Sequence, residues 1–225
     1  DLGFFTSDDD ICSDVSDIFN FLTGYSKQKE YKKLFVSPVN MREKFIELIN
    51  REIENANAGK EAKIVMKLNS LVDPAIICTL YEASNSGVEI KLIVRGVCSL
   101  VPGVKDLSEN IEVRSIVGRY LEHSRLFYFY NDGNEVIYLS SADMMQRNLD
   151  RRVEVAFPIE NPRLKDELMK TLLKIALKDN VKARILQSDG SYVFPEVKEN
   201  AKKINSQEWL MNHTLKAMGV RTQKP

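Results

Sequence analysis

Between residues 34 and 94 the chain switches repeatedly between two hydrophobic periods, and this alternation constrains the fold more than any other feature. Leu34-Phe35-Val36 is a short apolar run ended by Ser37-Pro38. Met41, Phe45, Leu48, Ile49 and Ile53 then recur at helical spacing as far as Gly59. Residues 63–68 read as a strand. Asp73-Pro74 opens a second helix, with proline in the first turn, where its missing N–H costs nothing, and Gly87 closes it. Residues 88–94 form a strand of the fully buried type. Strand, helix, strand, helix, strand with short links predicts a parallel sheet with right-handed crossovers.

Upstream, residues 7–22 read as a helix. Asp8, Asp9 and Asp10 suit its N-terminal dipole, and Ile11, Val15, Ile18, Phe19 and Leu22 make one apolar stripe. Gly24 ends it, and the polar stretch 25–33 is the expected domain junction, dividing 1–32 from 33–225. Downstream, residues 111–117, 125–130, 136–139 and 153–157 read as strands, with Asn131-Asp132-Gly133-Asn134 closing a hairpin. A helix over 163–177, a strand over 181–186 and a helix around Trp209 complete the chain. The expected architecture is an α/β sandwich with a mixed sheet.

Composition narrows the function classes. The 225 residues are 44% hydrophobic and 28% charged, in the range of a folded globular chain. No apolar run approaches the roughly 20 residues that span a bilayer. Lys plus Arg equals Asp plus Glu at 32 each, so a nucleic-acid coat is not expected and any polyanion chemistry must be local. Cys12, Cys78 and Cys98 have neither metal-type nor disulfide-framework spacing, which favours a reducing cytoplasm. Walker, dinucleotide-fingerprint and zinc-protease motifs are missing, which takes most of the weight from the enzyme classes built on them.

Two histidines occur. His213, within the C-terminal helix, is expected to be exposed or packing. His123 stands in Tyr120-Leu121-Glu122-His123-Ser124-Arg125, before an aromatic strand, and strand periodicity would point it alongside Arg125. A structural role for His123 is equally open on this ground alone. Arg95-Gly96 ends one apolar strand, Lys67 and Asn69 end another, and Arg147 and Arg152 follow a small polar run, 140–143. Ligand crevices in α/β sheets lie beyond the carboxyl ends of strands, and arginine there can grip phosphate through paired N–H groups. The gathering suits phosphoryl chemistry, although a single rim arginine is equally at home in a surface ion pair.

Longer runs carry a resemblance. Val65-Met66-Lys67-Leu68-Asn69-Ser70-Leu71-Val72-Asp73, then Leu92-Ile93-Val94-Arg95-Gly96-Val97-Cys98-Ser99-Leu100, then Ser115-Ile116-Val117-Gly118-Arg119-Tyr120-Leu121-Glu122-His123-Ser124-Arg125 resemble segments of bacterial-type polyphosphate kinases, in order. Tyr138-Leu139-Ser140-Ser141-Ala142-Asp143, residues 147–155 and Asp1-Leu2-Gly3-Phe4-Phe5-Thr6 extend the likeness over about residues 1–186, and the tail matches weakly.

The resemblance implies a phospholipase-D-like fold and reversible transfer of the terminal phosphate of ATP to inorganic polyphosphate, with Mg²⁺. It implies His123 as leaving-group acid or stabiliser of the transferring phosphoryl and as a phosphate contact, Arg95 as the nucleotide-phosphate arginine and Arg152 as a further phosphate-contacting one; Lys67, Asn69, Arg125 and Arg147 are the candidate supporting groups. The phosphorylated histidine, a nucleotide-stacking tyrosine and the metal positions are expected upstream of Asp1, no metal ligands are expected in this chain, and the isolated piece should be inactive. ATP, ADP and polyphosphate are the implied partners, in a homo-oligomer of cytoplasmic location with peripheral membrane association left open. Where the wider phospholipase-D pattern has Lys and Asp, this chain has Arg125 and Tyr130, which disfavours the rival phosphodiesterase or nuclease reading. A non-catalytic polyanion- or nucleotide-binding module is the other rival.

Overall fold

The computed structural model describes residues 2–25, 30–198 and 200–219. In it the strands β1 (Phe35–Ser37), β2 (Lys63–Leu68), β3 (Glu89–Val94), β4 (Ile111–Ile116), β5 (Arg125–Phe129), β6 (Val136–Ser140), β7 (Glu154–Pro158), β8 (Ala183–Leu186) and β9 (Tyr192–Val193) form one mixed sheet. Its order is β1-β7-β6-β5-β2-β3-β4-β8-β9. β2, β3 and β4 are parallel neighbours, and the other adjacent pairs are antiparallel.

The two sheet faces are sorted by strand periodicity. Ile64, Met66 and Leu68 of β2 join Ile90 and Leu92 of β3 and Phe127 and Phe129 of β5 on one face. There they meet Phe45 and Ile49 of α2 (Met41–Asn57) and Ile76 and Leu80 of α3 (Pro74–Asn85). Val65, Ile93, Leu126, Tyr128 and Leu139 face the other way, against Leu173 and Ala176. Those two belong to a helical run of α5 (Pro162–Leu168), a π-helical turn (Met169–Leu173) and α6 (Lys174–Leu177). The α/β sandwich with a mixed sheet is therefore present, in three layers. α3 starts as its sequence dictates: Asp73 accepts the Ile76 N–H at 3.1 Å and Pro74 sits in the first turn.

One expectation needs correction. The first strand–helix–strand unit does not make neighbouring parallel strands. β1 runs in the same direction as β2 but pairs antiparallel with β7 at the sheet edge, with β7, β6 and β5 between them. A three-residue strand cannot compete for the central slot, where β5 pairs with β2 over residues 64–67 through its buried, aromatic-rich residues 126–129. The predicted hairpin is present: β5 and β6 are joined through a 3₁₀ turn, Asn131–Gly133.

Helix α1 (Asp9–Leu22) is capped by Asp8, which accepts the Ile11 N–H at 3.0 Å. Ile11 and Ile18 pack with Leu34 and Val36, while Val15, Phe19 and Leu22 remain exposed. Asp14, 1% exposed, accepts the N–H groups of Lys32, Lys33 and Leu34 at 2.9, 2.7 and 2.9 Å, so α1 is fastened to the start of β1. Residues 26–29, within the expected junction, lie outside the described residues.

Candidate active site

β2 and β3 end, β5 begins and β6 ends on one rim of the sheet, because β5 runs antiparallel to β2 and β6 antiparallel to β5. That register gathers Lys67, Asn69, Arg95, Ser124, Arg125 and Ser140 from distant parts of the sequence. Lys67, Asn69, Arg95, Glu122 and Ser124 line one cleft beneath α6 and the C-terminal helix α7 (Ser206–Ala217). His123, Ser124, Arg125, Ser140 and Ser141 line an adjoining one, and Ser124 borders both.

A continuous network runs from Arg95 to His123. Arg95 donates from Nε and Nη2 to Asn69 Oδ1 at 3.0 and 2.8 Å. The Asn69 N–H donates to Asp143 Oδ1 at 2.7 Å, and the Ser70 N–H to the same oxygen at 3.2 Å. Asp143 also receives Arg125, Nε at 3.2 Å and Nη2 at 2.9 Å, and Arg125 Nη1 donates to the His123 carbonyl at 2.8 Å. Burial pushes the Asp143 carboxyl up, but Arg125 and the two amides outweigh it and hold it below the usual carboxylate range.

Asn69 has a consequence for ligand choice. A guanidinium only donates, so the amide oxygen must face Arg95 and the Nδ2 group must face away. That Nδ2 is buried and has no hydrogen-bond partner among the described residues. A buried donor left unmade costs about 1–3 kcal/mol, a cost that an acceptor-only group would relieve where the cleft opens far enough to admit it. Phosphate oxygens are such acceptors.

Lys67, 8% exposed, donates to Ser124 Oγ at 3.0 Å and pairs with Glu122 Oε2 at 2.9 Å. Burial raises the Glu122 carboxyl, but Lys67 and Gln207 together bring it below its ordinary value. The residues on either side of His123 are thus both tied to the end of β2. His123 itself is exposed, in the irregular segment before β5, so strand alternation does not set its direction. It nevertheless shares a cleft with Arg125.

The outlying arginines sit apart. Arg147 is exposed on the short helix α4 (Gln146–Asp150), and exposed Arg152 follows it, 3.9 Å from Glu154 Oε1. Neither lines the two clefts above. Arg152 connects to them through Glu154, which accepts Ser141 Oγ at 2.5 Å. His213 stacks on Trp209 with ring centroids 4.8 Å apart.

Sequence reasoning passed over Asp143, Glu122 and Gln207 as site residues. Glu122 was visible as an acid beside His123 and Arg125, and Asp143 as the acid closing the small polar run 140–143. Gln207 had no local signal, since its partners are 85 and 87 residues away in sequence.

Fold and site together define a three-layer α/β protein with an arginine- and lysine-bearing cleft at its strand ends. The family described as "Polyphosphate kinase C-terminal domain 2" matches residues 34–207. A polyphosphate kinase of Synechocystis is 55% identical over 193 residues, covering 86% of this chain and 26% of that protein. Polyphosphate kinase 1 of Chlorobaculum tepidum is 49% identical over 224 residues, covering 100% and 31%. The crystal structure of polyphosphate kinase from Porphyromonas gingivalis superposes with a TM-score of 0.90 at 39% identity, covering 95% of this chain and 33% of that one. This chain belongs to the polyphosphate kinase family. It spans roughly a quarter to a third of the length of these relatives.

Proposed function

We propose that this chain is the C-terminal, phospholipase-D-like part of an enzyme that reversibly transfers the terminal phosphate of ATP to inorganic polyphosphate. Residues 1–32 then form the end of the preceding catalytic domain, a reading supported by the start of the family match at residue 34. The observation that carries the function is the Arg95–Asn69 pair: a guanidinium held side-on beside a buried, unpartnered amide donor at the ends of β3 and β2.

In this reading Arg95 and Asn69 hold phosphate oxygens of the nucleotide, and Arg152 and Arg147 extend the cationic surface toward the polyphosphate chain. Lys67 and Arg125 act from behind, since both already have anionic partners. His123 donates a proton to the departing ADP oxygen, or holds its negative charge. Phosphoryl transfer is largely positioning and charge stabilisation, which such groups supply. The phosphoryl group moves from ATP to a histidine of the preceding domain, releasing ADP, and from there to a terminal polyphosphate oxygen.

The family reaction uses Mg²⁺. Among the described residues no three of His, Cys, Asp and Glu gather into a metal-holding group. No described helix is long and apolar enough to cross a membrane. A cytoplasmic homo-oligomer is the corresponding cellular reading. The phosphodiesterase alternative needs a free lysine-like cation beside His123, and Arg125 is instead bound at both ends, by Asp143 and the His123 carbonyl.

The test is steady-state kinetics on the full-length enzyme. His123→Ala should lower kcat by roughly 10²–10⁴-fold, the usual contribution of a positioned acid. Arg95→Ala should chiefly raise KM for ATP, and Arg95→Lys should not restore it, because a point charge cannot reproduce the planar fork. A folded His123→Ala enzyme with near-normal kcat would remove the proposed mechanism.

A further inference from the structure

Gln207, on the first turn of α7, is buried and directs all its side-chain hydrogen bonding at one loop. Its Oε1 accepts the Tyr120 N–H at 2.8 Å, and its Nε2 donates to the Tyr120 carbonyl at 2.8 Å and to Glu122 Oε1 at 2.8 Å. The side-chain amide thus pairs with residue 120 much as a neighbouring strand would. Approach is close enough that a Cβ on Gly118 would lie 2.4 Å from Gln207 Oε1 and 2.7 Å from its Cδ. The backbone at Gly118 is not left-handed, so what a side chain there would meet is the Gln207 amide and not a conformational barrier, and admitting it means displacing that hydrogen-bonded amide.

Gln207 is itself mounted on the fold. Asp179, 1% exposed, accepts the Ser206 N–H at 2.7 Å with one carboxylate oxygen. With the other it accepts the N–H groups of Val181, Lys182 and Ala183 at 3.0, 2.7 and 3.1 Å. The first turn of α7 is therefore pinned to the start of β8. A second contact, Tyr120 Oη donating to Met211 Sδ at 3.2 Å, continues along the same helix.

The loop so held, residues 117–124, has no regular secondary structure of its own and carries His123. Glu122 is gripped from both sides, by Lys67 and by Gln207. We infer that Gln207 is a positioning residue: it keeps His123 in register with Arg95 and Asn69, and Gly118 is glycine in order to admit it. This rests on the phosphotransfer reading above. Without Gln207 the Tyr120 N–H and carbonyl lose the partners it supplies and Glu122 loses one hydrogen bond while keeping the Lys67 ion pair, so the loop can shift while the strand-borne Arg95 and Asn69 stay in place.

The experiment uses the full-length enzyme with Gln207→Ala, Gln207→Met and Gly118→Ala, singly and combined. Misplacing a catalytic group by about 1 Å costs on the order of 10²-fold in rate. Both Gln207 variants should therefore lose roughly 10- to 100-fold in kcat while KM for ATP changes little. Gly118→Ala should be damaging alone and nearly silent on top of Gln207→Ala, because the colliding amide is gone, giving strong non-additivity. Hydrogen exchange at the Tyr120 amide supplies a readout independent of activity, and it should accelerate in both Gln207 variants. Equal Gly118→Ala effects in both backgrounds, or kcat within twofold of normal in folded Gln207 variants, would overturn the inference. If the parent enzyme proves to have no ATP:polyphosphate activity, the functional reading falls. The exchange data then decide the Gln207 contact separately: unchanged Tyr120 protection would overturn it.

Discussion

Replacing Asp143 tests the network that joins the two halves of the site. Its side chain is 10% exposed and that of Arg125 is 18% exposed. Removing the carboxylate in Asp143→Ala leaves a largely buried guanidinium unpaired and strips the acceptor from the Asn69 and Ser70 amides. Breaking such a pair from one side costs about 3–5 kcal/mol. For a chain of this length each kcal/mol moves Tm by about 2–4 °C, so the variant should melt roughly 6–20 °C lower. Asp143→Asn keeps one carbonyl oxygen but turns an N–H toward Arg125, and should lose about 1.5–3 kcal/mol, the worth of a hydrogen bond to a charged group. Urea unfolding and calorimetry of the 225-residue chain measure both. The folded carboxyl lies below its ordinary value near 3.8. Its stabilisation is therefore complete above that value and disappears as pH falls through the lower folded one. The difference between wild type and Asp143→Asn should shrink over that acid window. An alanine variant within 1 kcal/mol of wild type, or a difference that persists unchanged at low pH, would refute the reasoning.

Two further outcomes follow from buried carboxylates elsewhere. Asp14→Ala should cost about 1–3 kcal/mol, the penalty of unsatisfied amides including the buried one of Leu34, and should speed proteolysis within residues 9–22 relative to the rest of the chain. Burial raises the Glu52 carboxyl, despite the Asn131 and Lys63 amides it accepts, so the folded state binds that proton more tightly than the unfolded one. Its contribution to stability should accordingly decline as pH rises from about 4.5, and flatten above the folded value. Unfolding curves of Glu52→Gln should lack this slope.

Local chemistry made much of the architecture readable in advance. Hydrophobic period separates strand from helix within a few residues, and Asp8, Asp73-Pro74 and Gly87 mark helix ends through bonds to their own neighbours. The hairpin at Asn131–Gly133 was readable for the same reason, since its turn residues act within the turn. His123, Arg95, Lys67 and Asn69 were legible as candidates because they stand at or near strand ends, where an α/β sheet presents its crevice.

Which strands become neighbours is another matter, because it depends on competition among all of them for the sheet centre. Thus β1, read as the first member of a parallel unit, lies on the far edge beside β7, and the aromatic strand β5 takes the place next to β2. The same holds for the charges. Sequence set Arg125 beside His123, but only folding brought Asp143 across 18 residues to engage its guanidinium. Folding also turned Asn69 toward Arg95 across 26 residues, leaving its amide donor unpartnered. Gln207, which lies within the family match although the tail was expected to match weakly, reaches Tyr120 from a helix start that Asp179 fixes on the sheet. Short-range patterning determined the elements and the residue types at the rim; long-range pairing of buried polar groups, which no local window encodes, decided which of them line the clefts and which hold the others in place.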